Sequence, residues 1–552
     1  MTLSRQITVQ TGARLRCKGW RQESILRLLE NNLVNAERPE DLVVYGGGSK
    51  AARDWESLDK IVRSLHCLET CETLVIQSGK PIGIFETGEN APLVIMSNGT
   101  TITATQEEIA NLRRRNLTIH PGMTAAAWQY IGSQGIIQGT YETFMAAARR
   151  FFGGSLVGRT ILTAGSGGMG GAQPLAGVLA GAAILVADVR LDRLARRARE
   201  GYLERLAPTV PEAVRLWMLA ARERRAASIG VAANIVDVLE HFERHSIVPN
   251  IATDQTTPDP LLGYVPAGIS GEECDRLAWT DPGKLIDLAG ATLARHVQGL
   301  LALMRKGTVV FEYGNGLRER ALANGVANAF DIPGFVDLFI RPMFCEGIGP
   351  FRFIAIEGHP DTIFRIDEAL MEMFRDVPRI TEWLTKASRV KFTGLPARVC
   401  WLGHGERTEA ALAVNDLIEK GDIAGPVALT RDHLDSGSVT CRFRETENMR
   451  DGSDCIADWP ILNGLLDAIA GADLVAIHEA YGRSLNAGPT VIADGTAHAR
   501  ERIRRVMHAD TGLGVLRHAD AGYETAIAAR NRHQLGLDVR LARHDDTPTT
   551  PQ

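Results

Sequence analysis

The sequence lacks the features that would direct a chain into a membrane or out of the cell. Its amino terminus has no apolar core of a secretory signal, and its longest apolar run, Leu175–Ala187, is shorter than a membrane span and stops at Asp188. The eight cysteines are scattered without a Cys-x-x-Cys pair, a pattern typical of free thiols in a reducing compartment. We therefore expect a cytoplasmic protein with no membrane partner.

Metal motifs and strong charge are also missing. There is no His-Glu-x-x-His motif, and the 14 histidines are dispersed, so no metal site is predicted. The formal net charge is only −5, which gives no reason to expect a nucleic-acid partner. What remains is an ordinary soluble composition, 45% hydrophobic and 23% charged, in a chain of 552 residues. This length suggests roughly two to four domains and a small-molecule partner.

The middle of the chain alternates between strand-like and helix-like segments. A strand-like run at 158–164 leads into a glycine cluster, an apolar helix-like segment and a second run, Ala182–Asp188. Further strand-like runs lie at 228–232, 247–253 and 308–313. This alternation predicts an α/β fold with a doubly wound parallel sheet at 138–340. The flanking segments, 1–137 and 341–552, are expected to form one discontinuous domain.

The glycine cluster carries a dinucleotide-binding motif. Gly165, Gly167 and Gly170 satisfy G-x-G-x-x-G after a strand and before a helix, and Asp188 follows about 20 residues on, where a carboxylate would bind a ribose hydroxyl. The alternative is a tight strand-to-helix turn without a ligand. Asp188 favours NAD over NADP, although Arg190 and Arg193 leave that choice open.

Ten stretches of the sequence, one of which contains the glycine cluster, form recognisable motifs between the first hundred residues and the carboxyl terminus. They are Tyr45–Trp55, Gln77–Pro81, Tyr130–Phe144, Thr163–Pro174, Gly325–Phe330, Gly347–Arg352, Gly394–Cys400, Arg431–Gly437, Met449–Asp454 and Arg517–Tyr523. In their amino-acid sequence and in their order along the chain, these motifs resemble the urocanase (urocanate hydratase) family over nearly the whole length.

The resemblance implies a urocanase-like α/β fold, in which a Rossmann-type NAD-binding domain is inserted into a discontinuous core domain. It also implies a homodimeric hydratase, a hydro-lyase that adds water to an imidazole-propenoate. Tightly bound NAD⁺ would act as an electrophile and would not be consumed as an oxidant. Two other functions stay open, an NAD-dependent dehydrogenase and a non-catalytic NAD-binding homologue.

The resemblance also implies a set of cofactor contacts and an active-site cysteine. The expected NAD contacts are Gly46, Gly47, Gly168, Met169, Gly170, Asp188, Arg193, Asn234, Ile235, Gln255, Thr256, Thr257, Tyr264, Val265, Tyr313 and Gly482. Cys400 falls on the family's active-site cysteine and is expected beside the nicotinamide. Taken alone, it would be interpreted as a small buried hydrophobic residue.

A propenoate carboxylate requires a fixed cation, and the planar guanidinium of arginine suits it. Arg352 is the first candidate, with Arg444 and Arg450 as alternatives; each could instead be a structural ion-pair partner. Thr124 is a candidate hydroxyl donor.

Tyr45 and Asp435 are candidates for proton transfer or for hydrogen bonding to the ring. The alternative for Asp435 is a turn or cap residue.

Several sequence motifs that are expected to line the pocket depart from the family pattern. Gly88 stands where the family has histidine, and Gly122 where it has glutamine. The Gln255–Pro260 motif is one residue shorter than in the family and lacks its histidine. Phe443 and Tyr481 add aromatic surface. A pocket that has lost ring-binding groups is suited to a changed ring. The sequence therefore predicts a ring-modified urocanate as substrate: thiourocanate, its S-methyl form or an N-methylurocanate. Plain urocanate remains the alternative.

Overall fold

A computed structural model describes residues 7–102, 105–480 and 482–537 of the chain. Its strands in chain order are β1 Val43–Tyr45, β2 Ser49–Lys50, β3 Glu72–Gln77, β4 Lys80–Glu86, β5 Val94–Asn98, β6 Thr160–Ala164, β7 Ala183–Asp188, β8 Arg205–Ala207, β9 Ala227–Ala232, β10 Ile251–Ala252, β11 Val309–Val310, β12 Gly349–Ala355, β13 Ala397–Leu402, β14 Val427–Arg431, β15 Val439–Cys441, β16 Leu474–Ala480 and β17 Ser484–Ala493.

The α-helices fill most of the chain between these strands. They are α1 Trp20–Val34, α2 Trp55–Cys67, α3 Gln106–Arg114, α4 Ile137–Phe151, α5 Gln173–Leu179, α6 Leu191–Arg199, α7 Val210–Arg222, α8 Ile235–Arg244, α9 Gly271–Thr280, α10 Pro282–Arg305, α11 Leu317–Ala323, α12 Arg341–Phe344, α13 Pro360–Met373, α14 Pro378–Ala387, α15 Glu406–Lys420, α16 Asp458–Ala470, α17 Ala497–Asp520 and α18 Glu524–Arg532.

The middle of the chain folds around a six-stranded parallel sheet in the order β11-β10-β6-β7-β9-β8. Strand β7 is buried along its whole length, as expected of a strand covered by helices on both faces. The strand order reverses at β6, which pairs with β7 on one side and with β10 on the other. Sheets of this kind bind ligands beyond the carboxyl ends of the strands at such a reversal.

The two ends of the chain build a second sheet together. Nine strands take part in the order β13-β12-β14-β17-β16-β5-β3-β4, with β15 paired to β17. Strand β16 lies parallel to β5, with Leu474 opposite Val94 and His478 opposite Asn98. Segments from before and after the parallel sheet are therefore joined through main-chain hydrogen bonds.

The two sheets are connected by packing as well as by the chain. Ile161 and Val186 of the parallel sheet share one buried apolar cluster with Phe351 and Trp401 of the mixed sheet. The Trp401 main-chain N–H donates to Gln138 Oε1 at 2.8 Å, which ties β13 to α4. A pocket between the sheets consequently has walls on both sides that are anchored in a core.

The parallel sheet confirms the α/β prediction, but two predicted strands were too long. The run 308–313 is regular only over Val309–Val310. The run 247–253 is regular only over Ile251–Ala252. Pro249 lies within the predicted run and has no N–H to donate to a neighbouring strand. Its carbonyl accepts a side-chain hydrogen bond from Thr308 Oγ1 at 2.9 Å.

Candidate active site

The glycine-rich turn after β6 is shaped by close main-chain approach. A Cβ at Gly165 would lie 2.6 Å from the Gln255 carbonyl oxygen, and one at Gly170 would lie 2.3 Å from the Gly165 carbonyl oxygen. Gly165 also has a φ of +85°, a backbone conformation that residues other than glycine rarely adopt. Only glycine fits here, and the turn leaves room for a ligand's pyrophosphate against bare backbone.

Asp188, at the end of β7, holds this turn in place. Its Oδ2 accepts hydrogen bonds from the Ser166 N–H and hydroxyl, both at 2.7 Å, and its Oδ1 accepts from the Arg190 N–H at 2.9 Å. The carboxylate also faces the cavity described below. It can accept a ribose hydroxyl while supporting the loop that would hold the phosphates.

A cavity of about 380 Å³ opens over the turn, between the two sheets. Every expected nucleotide contact except Gly47 and Tyr313 lies in its lining. A Cβ at Gly47 would meet the Leu262 carbonyl oxygen at 1.5 Å, so this glycine permits a close crossing of two loops. The Tyr313 hydroxyl donates to Thr140 Oγ1 at 3.1 Å, behind the wall. The bare glycine turn and Asp188 fit a dinucleotide.

One acid at the turn was missed in the sequence. Glu37 lines the cavity, and its Oε1 accepts the Gly168 N–H at 2.7 Å. Its other oxygen lies 3.7 Å from Nη2 of Arg193, an expected cofactor contact. Glu37 follows helix α1 in an ordinary polar stretch, where no motif marks it.

Tyr45 lies where the cavity meets the mixed sheet. Its hydroxyl oxygen accepts the N–H groups of Met123 and Thr124, both at 3.0 Å, and lies 3.3 Å from Thr124 Oγ1. Burial, with a contribution from Asp432, raises the pKa of Tyr45 above its ordinary value although these hydrogen bonds oppose the shift. The phenol therefore stays protonated at neutral pH. Thr124 does not line the cavity and acts on it through Tyr45.

Of the three candidate arginines, only Arg444 lines the cavity. Its Nε lies 2.8 Å from Glu445 Oε1, while its terminal nitrogens make no hydrogen bond to the residues that the structure describes. Burial acts to lower the pKa of Arg444, but Glu445 and other groups outweigh it, so the net shift is upward. Gly314, with a φ of +79°, makes room for it, because a Cβ there would lie 2.4 Å from Arg444 Nε.

The other two arginines are engaged elsewhere. Arg352 is fully buried; it donates to the Gln129 carbonyl at 2.7 Å and to Asp432 Oδ2. Asp432 does line the cavity, so Arg352 reaches the site through this carboxylate. Arg450 is half exposed and pairs with Glu524 at 2.6 Å, away from the cavity.

Cys400 and Asp435 are buried outside the cavity lining. Cys400 lies within β13 opposite Phe351, with no exposed surface, and burial raises the pKa of its thiol. Asp435 Oδ2 accepts from Arg407 at 2.8 Å and lies 3.2 Å from Arg431 Nε, within a network of buried ion pairs. The structure brings neither residue to the cavity, and their catalytic roles stay predictions.

Two of the departures from the family pattern fall in the cavity lining: Phe443 and the Gln255–Pro260 segment, of which 255–259 line the cavity. Phe443 lines it and packs on Phe330 with ring centroids 4.9 Å apart. Gly122, outside the lining, has a φ of +60°, and a Cβ there would lie 2.7 Å from Ser49 Oγ and 3.0 Å from the Tyr45 hydroxyl, so glycine lets Ser49 and Tyr45 pack closely against this turn. Tyr481 lies outside the described residues.

The described part of the chain contains neither a candidate metal site nor a candidate membrane-spanning helix. Within residues 7–102, 105–480 and 482–537, no group of three His, Cys, Asp or Glu side chains could hold a metal ion. In the same part of the chain, no helix combines the length and the apolarity that crossing a membrane requires.

The fold and cavity define a Rossmann-type protein whose candidate nucleotide site lies between its two sheets. The chain matches three domain families in succession: the urocanase N-terminal domain over 7–129, the urocanase Rossmann-like domain over 132–339 and the urocanase C-terminal domain over 342–532. It is 53% identical to the S-methyl thiourocanate hydratase of Variovorax sp. (strain JCM 16519 / RA8) over 538 residues, 97% of this chain and 98% of that protein.

The chain therefore belongs to the urocanase family and is a hydro-lyase. The predicted family, fold class and enzyme class are confirmed. A nucleotide cofactor follows from the Rossmann-like domain.

Proposed function

We propose that the chain hydrates S-methylthiourocanate, a ring-modified urocanate, with NAD⁺ as its bound nucleotide. The observation that carries this proposal is the 53% identity to an S-methyl thiourocanate hydratase over almost the full length of both chains. The sequence departures at Phe443 and in the Gln255–Pro260 segment support it, because both fall in the cavity lining.

The proposed nucleotide site consists of the glycine turn, Asp188 and the wall at 255–257. Bound NAD⁺ would supply an electrophilic nicotinamide that draws electrons from the substrate's imidazole ring. The Asp188 carboxylate, without a basic replacement at that position, supports NAD⁺ over its 2′-phosphate form.

Arg444 is the proposed anchor for the propenoate carboxylate. Its two terminal nitrogens can donate in parallel to the two carboxylate oxygens, while Nε stays in an ion pair with Glu445 at 2.8 Å. Arg352 is less suited to direct contact, because its guanidinium already donates to Asp432 and to the Gln129 carbonyl.

Tyr45 and Asp432 are the proposed groups for proton transfer. The Tyr45 oxygen accepts two main-chain N–H groups, so its own proton is available for donation to a substrate or to Thr124. Asp432 has one oxygen held by Arg352 and a place in the cavity wall, where it can accept a proton from the attacking water. Hydration needs one group of each kind.

The test is a panel assay that follows loss of the conjugated chromophore with S-methylthiourocanate, thiourocanate, N-methylurocanate and urocanate. We expect S-methylthiourocanate to have the highest kcat/KM, with no gain of NADH absorbance. Best turnover of plain urocanate would refute the altered substrate. Net NADH formation would instead favour a dehydrogenase, and tight nucleotide retention without turnover of any analogue would favour a non-catalytic homologue.

A cytoplasmic homodimer is the proposed state of the protein. All eight cysteines are free, as suits a reducing compartment. For the second copy we assign the outer face of α16, where Ile461, Leu465 and Ile469 are 41%, 56% and 81% exposed. Between Trp459 and Ala470 the only ionisable side chain is Asp467, which is fully buried, so two copies can meet here without like-charge repulsion.

Sedimentation velocity tests this assignment. A dimer is expected for the wild-type chain, and Leu465→Asp with Ile469→Asp should convert it to a monomer that retains its far-UV circular dichroism. A wild-type monomer would refute the dimer, and a variant that remains dimeric would refute the choice of α16.

A further inference from the structure

Two separate parts of the cavity wall are attached to one buried carboxylate. Asp254 Oδ1 accepts from the Thr256 N–H at 2.9 Å, from the Thr256 hydroxyl at 2.6 Å and from Asn315 Nδ2 at 2.7 Å. Asn315 Nδ2 also donates to the Thr256 carbonyl at 2.8 Å. Thr256 and Asn315 both line the cavity, while Asp254 lies behind them and is only 1% exposed.

The second oxygen of this carboxylate faces a histidine. Asp254 Oδ2 lies 3.4 Å from Nε2 of His296, a residue of α10 that is completely buried. Neither Asp254 Oδ2 nor either ring nitrogen of His296 makes a standard hydrogen bond in the described part of the chain. Buried polar atoms without partners are costly, and a single proton between these two atoms would satisfy both.

The surroundings favour a pair without full ionic charge. Burial raises the pKa of Asp254 to about 7, and burial lowers the pKa of His296 to about 3. The nearby Glu312 is engaged by Arg318 and disfavours a second negative charge. Burial and Asp254 raise the pKa of Tyr264, and Arg295 opposes that shift.

We propose that Asp254 and His296 share one proton, Asp254 Oδ2–H donating to His296 Nε2, and that this pair positions the nucleotide-binding wall. The pair, here called the Asp254–His296 latch, ties the 255–257 segment and the 314–316 turn to α10. Both residues are positioning residues, since neither lines the cavity. The inference rests on the proposed nucleotide site and assigns to it an internal, proton-dependent support.

Three variants distinguish a shared proton from a required charge. Asp254→Asn keeps an oxygen for Thr256 and places an N–H toward His296, so it imitates the protonated latch. Asp254→Ala and His296→Phe remove the latch from either side. Asp416→Asn, on α15, is the matched control, because Asp416 forms a surface ion pair with Arg500.

The measurement is the dissociation rate of bound nucleotide from the purified holoenzyme, by rapid filtration and absorbance at several pH values. We expect about tenfold or faster release from Asp254→Ala and His296→Phe, as the loss of a buried hydrogen-bonded group implies. Asp254→Asn should release at the wild-type rate. Wild-type release should accelerate as pH rises through about 7, the pKa of Asp254, while Asp254→Asn should show no such change.

Each alternative outcome overturns one defined statement. Wild-type retention in both Asp254→Ala and His296→Phe would refute the latch. Fast release from Asp254→Asn, equal to that of Asp254→Ala, would show that the negative charge matters, and this too refutes a shared proton. A wild-type protein that binds no nucleotide, neither as purified nor after addition of NAD⁺, would refute the proposed function itself. Should Asp254→Ala not fold, the pH profile of Asp254→Asn decides alone.

Discussion

Replacing Arg444 tests the substrate side of the cavity most directly. Arg444 is 15% exposed in its side chain, faces the cavity and has both terminal nitrogens available for a carboxylate. Arg444→Gln keeps a polar side chain, but it is shorter than arginine and removes both the charge and the two terminal donors. We expect KM to rise and kcat/KM to fall, with the nucleotide still bound.

The size of the effect follows from the number of lost contacts. A guanidinium and a carboxylate form two charge-assisted hydrogen bonds, each contributing about 1.5–3 kcal/mol, and glutamine can replace at most one of them weakly. A net loss of about 3–4 kcal/mol corresponds to a decrease of roughly 10²- to 10³-fold in kcat/KM.

Glu445 complicates a single substitution. Its carboxylate is buried without a hydrogen bond to the described residues and relies on Arg444 for charge compensation. Burial already raises the pKa of Glu445, and removal of Arg444 would raise it further, so the variant should take up a proton at this site. The double variant Arg444→Gln with Glu445→Gln avoids this uptake and should show the same loss of kcat/KM.

The control and the refuting result are both within the chain. Arg450→Gln removes one surface arginine that pairs with Glu524 and should change kcat/KM less than twofold. A methyl ester of the substrate, which has no carboxylate, should discriminate poorly between the wild type and Arg444→Gln. The reasoning fails if Arg444→Gln keeps wild-type kcat/KM, or if the ester shows the same decrease as the acid.

Three further substitutions follow from the geometry of the site. Gly170→Ala should abolish nucleotide retention, because its Cβ would lie 2.3 Å from the Gly165 carbonyl; retained nucleotide after gel filtration would contradict this. Tyr45→Phe leaves two buried N–H groups without an acceptor and removes a proton donor, so kcat should fall about 10²-fold or more with nucleotide still bound, and an unchanged kcat would exclude the phenol. Cys400→Ala should keep turnover within about twofold and lower the melting temperature, because the thiol is buried in β13; a tenfold loss of kcat in folded protein would return it to the active site.

The nucleotide half of the site could be predicted because its requirements are local in sequence. The turn needs glycine wherever a Cβ would collide with backbone, as at Gly165 and Gly170, and such positions can be recognised as a motif. Asp188 ends a buried strand, and its position relative to the turn follows from parallel pairing of β6 and β7. Glu37 approaches the same turn from more than a hundred residues away and carries no local signal.

The substrate half depended on which side of a strand or turn a side chain faces. The Arg431–Gly437 motif contains two aspartates, of which the sequence favours Asp435 as the candidate for proton transfer or for hydrogen bonding to the ring. In the structure Asp432 lines the cavity, whereas Asp435 is engaged by Arg407 and Arg431 in the interior. Both aspartates follow the end of β14 at Arg431, outside any helix or strand, so no periodicity of side-chain orientation distinguishes the two carboxylates.

The same reasoning explains why Arg444, and not Arg352, is the proposed anchor. Arg352 lies on β12, a strand with β13 and β14 on either side, and all seven of its residues are buried. A guanidinium in such a position must find acceptors within the protein, and Arg352 finds Asp432 and the Gln129 carbonyl. Arg444 follows β15, which pairs only with β17 among the described strands. It lines the cavity, and its terminal nitrogens have no hydrogen-bond acceptor among the described residues. A substrate carboxylate would supply the acceptors that this position lacks, and this difference between the two strands is the reason for proposing Arg444 as the anchor.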